Sequence, residues 1–165
     1  MTMNKLKKIV IIAILLTLFG CKADYLEGPY KVDRVVDGDT LIVYINNKRT
    51  RIRALCIDTP ESVAPESSNK SNTSEGIIAS NRAKEILEGS EVYLEYDEEK
   101  YDQYDRVLAY VYTKNKKSFE EIMISERLAK VVVYGNNKKH AEDYYKLQEK
   151  AKQKKVGFYG TGFYK

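Results

Sequence analysis

Residues 35–61 read VVDGDTLIVYINNKRTRIRALCIDTPE, with carboxylates at Asp37, Asp39, Asp58 and Glu61 and, among the guanidinium groups, Arg51 and Arg53 nearest the second acidic cluster. Carboxylates gathered at one place repel one another unless a cation sits among them. A donor set made only of oxygen favours a hard ion, Ca²⁺ or Mg²⁺, over zinc, and calcium first. Arginine covers phosphate oxygens with paired hydrogen bonds where lysine offers a point charge. Together these types can support metal-assisted attack on a phosphate ester. Read singly, each piece has a plainer account: Asp37 and Asp39 as turn residues around Gly38, and Asp58-Thr59-Pro60-Glu61 as the start of a loop. That account weakens when both motifs flank one stretch that also carries Arg53.

Periodicity indicates the elements that position these groups. Residues 30–36 alternate and predict a strand, Asp37-Gly38-Asp39 a tight reversal, residues 40–45 a second strand, Asn46-Asn47 a hairpin turn, and residues 49–57 a third strand. Such a meander brings Asp39 and Asp58 to the same end, with Glu61 close behind. A Ser/Asn-rich segment up to Ser74 reads as a mobile loop. Residues 75–88 then predict a helix, with Thr73 or Ser74 as N-cap and Gly89 just beyond its end. Residues 91–96 and 107–112 predict a fourth and a fifth strand. Ser118-x-x-Glu121 is a capping box that opens a helix to about Glu126. A last helix over 139–155 puts Ala141, Tyr144, Leu147 and Ala151 on one face and lysines on a solvated remainder. The order predicts an α+β, mostly β fold: a five-stranded OB-fold barrel with three helices.

Composition narrows the function. A chain of 165 residues with 43% hydrophobic content supports one core and one domain. Residues 1–20 read as a signal peptide, with Lys5, Lys7 and Lys8 ahead of an apolar run over 9–19 that is short for a membrane span. The run ends in Leu18-Phe19-Gly20-Cys21, which resembles a bacterial lipobox. That resemblance implies lipidation of Cys21, a tether over 21–29, and a domain over 30–156 anchored to the membrane outside the cytoplasm; a plain secretory signal is the alternative. Removing those three lysines takes 28 bases to 25 against 24 acids, a net charge of +1, so attraction for a polyanion must be local. Cys56, in the apolar run Ala54-Leu55-Cys56-Ile57, reads as a buried inert thiol, and His140 is the only histidine, in a polar stretch. Histidine-dependent hydrolases and His-ligated zinc therefore lack parts.

Four blocks, Asp37-Gly38-Asp39-Thr40, Arg53 with Asp58-Thr59-Pro60-Glu61, Asp102-x-Tyr104-x-Arg106-x-Leu108-Ala109-Tyr110, and Leu128-Ala129-Lys130-Val131, are similar in order and spacing to the staphylococcal (micrococcal) nuclease, or thermonuclease, family. The resemblance implies an OB-fold enzyme that hydrolyses DNA and RNA with one Ca²⁺. It implies Asp39, Asp58 and the main-chain carbonyl of Thr59 as calcium ligands. It further implies Glu61 as general base or positioner of the attacking water, Arg53 and Arg106 as phosphate clamps, and Tyr104 and Tyr134 at the nucleotide pocket. Asp105 and Arg127 stand where the family has glycine.

Two classes of function stay open: a calcium-dependent, sugar-nonspecific nuclease, monomeric and held at the cell surface, and a non-catalytic OB module that binds nucleic acid or a protein. The aromatic, Gly-rich tail over 157–165 either packs back on the barrel or stacks on substrate.

Overall fold

The computed structural model describes residues 25–62, 73–154, 157–159 and 162–164. The signal segment, Cys21 and most of the Ser/Asn-rich loop lie outside the described residues. In chain order the elements are β1 (Glu27–Asp37), β2 (Thr40–Ile45), β3 (Lys48–Ala54), β4 (Ile57–Asp58), α1 (Ser74–Leu87), β5 (Glu91–Glu95), β6 (Val107–Thr113), α2 (Phe119–Ser125), β7 (Lys130–Val131) and α3 (Ala141–Gln153). A 3₁₀ turn, Gly157–Tyr159, follows.

Five strands close a barrel in the order β1-β2-β3-β6-β5. The hairpins β1–β2, β2–β3 and β5–β6 are antiparallel, and β5 returns antiparallel to β1. Only β3 and β6 among the barrel strands pair in parallel, Ile52 with Val107, Arg53 with Leu108 and Ala54 with Ala109. A parallel pair needs a long crossover, and residues 55–106 supply it with α1 and β5 on the way. Leu41, Val43, Ile52, Val92, Leu94 and Val111 are buried in the barrel strands. Ala79, Ala83 and Leu87 of α1, Phe119 and Met123 of α2, and Tyr144 of α3 join the same core. Asn46 and Asn47 both take positive φ (50° and 61°), the conformation that asparagine tolerates in a two-residue hairpin turn.

The barrel and its three helices match the sequence expectation; several boundaries do not. β1 begins at Glu27, paired with Leu94, so residues 27–29 belong to the barrel and not to a tether. The expected third strand over 49–57 is broken. Leu55 and Cys56 turn the chain, Cys56 at φ 58°, and β4 leaves the barrel to pair with β7. The run Ala54-Leu55-Cys56-Ile57 is buried throughout, so its hydrophobicity continues across the turn and hides it. In α3 the buried positions are Ala141, Tyr144, Gln148 and Ala151. Leu147 packs half-buried against the core as expected, and Gln148 joins the buried face because its side-chain oxygen accepts the Val131 N–H of β7 at 2.7 Å.

Candidate active site

A cavity of about 740 Å³ opens at one end of the barrel. Asp37, Asp39, Arg53, Asp58 and Glu61 line one side, and Asp102, Tyr104, Arg106 and Tyr134 line the other. Asp39 sits between β1 and β2 and is 7% exposed. Its Oδ2 accepts the Thr59 N–H (3.0 Å) and the Thr59 hydroxyl (3.1 Å), and its Oδ1 accepts the Thr40 hydroxyl (3.0 Å). Gly38 is required by the approach of Thr59: a Cβ there would lie 2.7 Å from its Oγ1.

Arg53, near the end of β3, points its guanidinium back into this group. Nη1 lies 3.1 Å from Asp39 Oδ2 and donates to the carbonyls of Ala54 (3.1 Å) and Ile57 (3.0 Å). Nη2 donates to Asp58 Oδ1 at 3.4 Å. Asp58 ends β4, and its other carboxylate oxygen lies 3.3 Å from Lys130 Nζ on β7. The break after β3 thus does structural service: it turns the Ile57 carbonyl and the Asp58 carboxylate toward Arg53.

Glu61 is positioned by α1. Its carbonyl accepts the N–H (3.2 Å) and hydroxyl (3.4 Å) of Thr73, the N-cap whose Oγ1 accepts the Gly76 N–H at 2.9 Å. A Cβ on Gly76 would fall 2.1 Å from the Glu61 carbonyl oxygen, so only glycine lets the helix lie against this backbone. Asp37 is more than a turn-former. Its Oδ1 accepts the Gly38 N–H (2.8 Å), yet burial pushes its carboxyl up to about 6. The Asp39 and Glu61 charges add to that rise and bonds from Ser62 and Gly38 oppose it. Three acids therefore crowd one region.

Arg106 enters from the far side, just ahead of β6. Its Nε donates to Asp102 Oδ2 at 2.6 Å, and Asp102 Oδ1 accepts the N–H groups of Tyr104 (2.9 Å) and Arg106 (3.0 Å). Burial works against the Asp102 carboxylate, but these donors outweigh it and hold the group below the usual carboxylate range. Within this turn Asp105 takes φ 57°, the left-handed conformation for which glycine is better suited. Arg127 does likewise at φ 63°, just past the end of α2. Tyr104 (71% exposed) and Tyr134 (65%) stand at the rim with Tyr101, which sequence reasoning passed over. Asp102 and Lys130 were visible as motif letters without a role, and the D-x-Y-x-R spacing is the signal that marks Asp102 as the organiser of an Asx-type turn.

The donor set suits a hard cation. It offers oxygen alone: the Asp39 and Asp58 carboxylates flank the Arg53 guanidinium, and Asp58 also pairs with Lys130. Among the described residues no three His, Cys, Asp or Glu side chains converge as a closed cage. A cation would therefore take two carboxylates and complete its shell from main-chain and water oxygens, an arrangement that Ca²⁺ accepts. The rise of the Asp37 carboxyl comes first from burial, with smaller contributions from the Asp39 and Glu61 charges.

The tail packs back on the protein. Phe158 is 3% exposed and belongs to the core, Phe163 and Tyr164 pack against it, and the Tyr164 hydroxyl donates to the Asp58 carbonyl at 3.3 Å.

The family model described as staphylococcal nuclease homologue matches residues 51–160. The chain is 39% identical over 135 residues to a thermonuclease of Staphylococcus hyicus, an alignment that covers 82% of this chain and 78% of that protein. It is 36% identical over 135 residues to Endonuclease YncB of Bacillus subtilis (strain 168), covering 81% of this chain and 62% of the relative. It is 38% identical over 135 residues to the SPbeta prophage-derived endonuclease YokF of the same strain, covering 81% and 44%. This chain thus spans less than two thirds of the length of each Bacillus endonuclease. A closed barrel with Arg53 and Arg106 lining one cavity, and similarity that runs through nearly all of it, lead to one assignment: the chain belongs to the staphylococcal nuclease family.

Proposed function

We propose that this nuclease uses calcium to hydrolyse the phosphodiester bonds of both DNA and RNA, and that it works as a monomer anchored through lipidated Cys21 at the outer face of the cell membrane. The observation that carries the reading is the convergence of Asp39, Arg53, Asp58, Glu61 and Arg106 on a single cavity. Asp39, Asp58 and the Thr59 carbonyl would hold the cation, which when bound adds positive charge beside the phosphate oxygens. Arg53, on β3, and Arg106, just ahead of β6, cover the remaining oxygens and offset the charge that builds as phosphorus becomes pentacoordinate. Glu61, tied through its backbone to the α1 N-terminus, orients the attacking water and takes its proton. The exposed rings of Tyr104 and Tyr134 offer flat faces to bases, which every base accepts whatever its sugar. No helix among the described residues is long and apolar enough to cross a membrane; the anchor rests on the Cys21 motif.

The test is cleavage of labelled DNA and RNA by the domain starting at about Lys22, in Ca²⁺ and in chelator. Cleavage of both polymers in Ca²⁺ and its loss in chelator is the expected result. Equal cleavage in both conditions overturns the calcium mechanism, and binding without cleavage in either condition makes the domain a nucleic-acid module. Metabolic labelling with a clickable palmitate analogue tests Cys21, and a freely secreted, unlabelled product leaves a plain signal peptide.

A further inference from the structure

We propose that Tyr164 is a positioning residue for the cation site, acting through the peptide unit that joins Asp58 to Thr59. Both polar groups of that peptide are engaged. Its carbonyl accepts the Tyr164 hydroxyl at 3.3 Å, and its N–H donates to Asp39 Oδ2 at 3.0 Å. In a trans peptide these two groups point in opposite directions, so the tail grips one side while Asp39 lies on the other. A donor on the carbonyl polarises the amide and strengthens its N–H as a donor, so the tail reaches the Asp39 carboxylate through a single peptide. Turning this peptide moves three groups together: the Asp58 side chain, the Thr59 carbonyl and the bond that orients Asp39.

The segment has need of such a hold. β4 is two residues long and leans on a two-residue partner, β7. The tail is itself well founded. Phe158 is buried, its N–H donates to the Arg127 carbonyl (3.3 Å), and its own carbonyl accepts the Tyr164 N–H (3.2 Å). The Tyr164 ring sits edge-on to Phe158 (5.7 Å between centroids) and to Phe163 (5.2 Å). The inference rests on the assignment of Asp39, Asp58 and Thr59 to the cation.

The experiment uses the full domain with Tyr164→Phe, which keeps the ring and removes the hydroxyl, and Phe163→Leu as a tail control. Three quantities are read: the Ca²⁺ dissociation constant by titration calorimetry, hydrogen exchange at the Thr59 amide by NMR in chelator, and the thermal midpoint. Tyr164→Phe is expected to weaken Ca²⁺ binding by about threefold to tenfold and to quicken Thr59 exchange by a similar factor. The midpoint should move by less than about 2 °C, and Phe163→Leu should leave affinity and exchange unchanged. Unchanged affinity and exchange in Tyr164→Phe overturn the proposal, as does an equal loss in both variants, which would reduce the tail to general packing. If the unaltered protein takes up no Ca²⁺, the calcium assignment fails by itself, and Thr59 exchange then decides: faster exchange supports the clamp and unchanged exchange overturns it.

Discussion

Arg53 reaches four oxygens without leaving the protein, two of them on carboxylates. A guanidinium so held is aimed before substrate arrives, which is the condition for stabilising charge that appears only in the transition state. Arg53→Ala and Glu61→Gln should each lower kcat by about 10²–10⁴-fold, with far-ultraviolet circular dichroism unchanged. A rate near that of the unaltered protein in either variant removes the role assigned to it. Asp105 presents a second, milder case. It adds an anion beside Arg106 and occupies a left-handed position. Asp105→Gly should raise kcat/KM by about twofold to fivefold at low ionic strength, the gain shrinking as salt screens the charge. A gain indifferent to salt would show that backbone relief, and not charge, was at work. The acids and arginines of the site were legible one by one because their types are rare in apolar runs. The D-G pair explains Asp37 locally, as its bond from the Gly38 N–H bears out, and only the fold reveals that its carboxyl is also buried and feels the Asp39 and Glu61 charges.

At the scale of elements, α1 serves the site through its first turn. Thr73 was readable as a cap and Gly89 as a stop, since both follow from local backbone needs. The demand on Gly76 was not readable, because it comes from the Glu61 backbone lying across the helix. Gly76→Ala should cost about 1–3 kcal/mol in urea unfolding and lower kcat as Glu61 shifts. Ile77→Ala, at a position 51% exposed, should do neither. An unaltered rate in Gly76→Ala would show that Glu61 keeps its place without the helix. The break at Leu55 and Cys56 escaped the sequence for the opposite reason: Ala54, Leu55, Cys56 and Ile57 are all buried and apolar, so no polar residue punctuates the turn.

The whole molecule carries a pH signature that no motif announces. Glu120, in the first turn of α2, is fully buried while its neighbour Glu121 faces water. Its carboxylate oxygens accept the Val111 N–H (2.8 Å) and the Ser118 hydroxyl (3.2 Å), yet burial outweighs them and pushes the carboxyl from 4.5 up to about 8. A carboxyl raised on folding stabilises the protein below its unfolded value. That contribution falls away as pH rises from about 4.5 to about 8. Glu95 has the opposite sign: Lys139, the Tyr112 hydroxyl (2.6 Å) and His140 (2.9 Å) overcome its burial and hold it low, so its contribution is lost in acid. The thermal midpoint should therefore decline on both sides of a mildly acidic optimum, and Glu120→Gln should flatten the alkaline arm. Calorimetry from pH 4 to 9 measures this, and an alkaline arm unchanged by the substitution would mean that Glu120 ionises freely. Neither acid stood out in the sequence, where each reads as one charge among many.

Two seams join distant parts of the chain into the barrel: β1 meets β5, Lys31 opposite Glu91, and β3 meets β6, residues 52–54 opposite residues 107–109, with Arg53 on one strand and Arg106 just ahead of the other. Segments so distant along the chain meet only after the slow loss of chain entropy that a long loop demands, later than any hairpin forms. Cleavage should therefore report the last stage of folding. On dilution from denaturant, ellipticity should return first and activity only with the slowest kinetic step; simultaneous recovery of the two would place closure of the barrel among the earliest events.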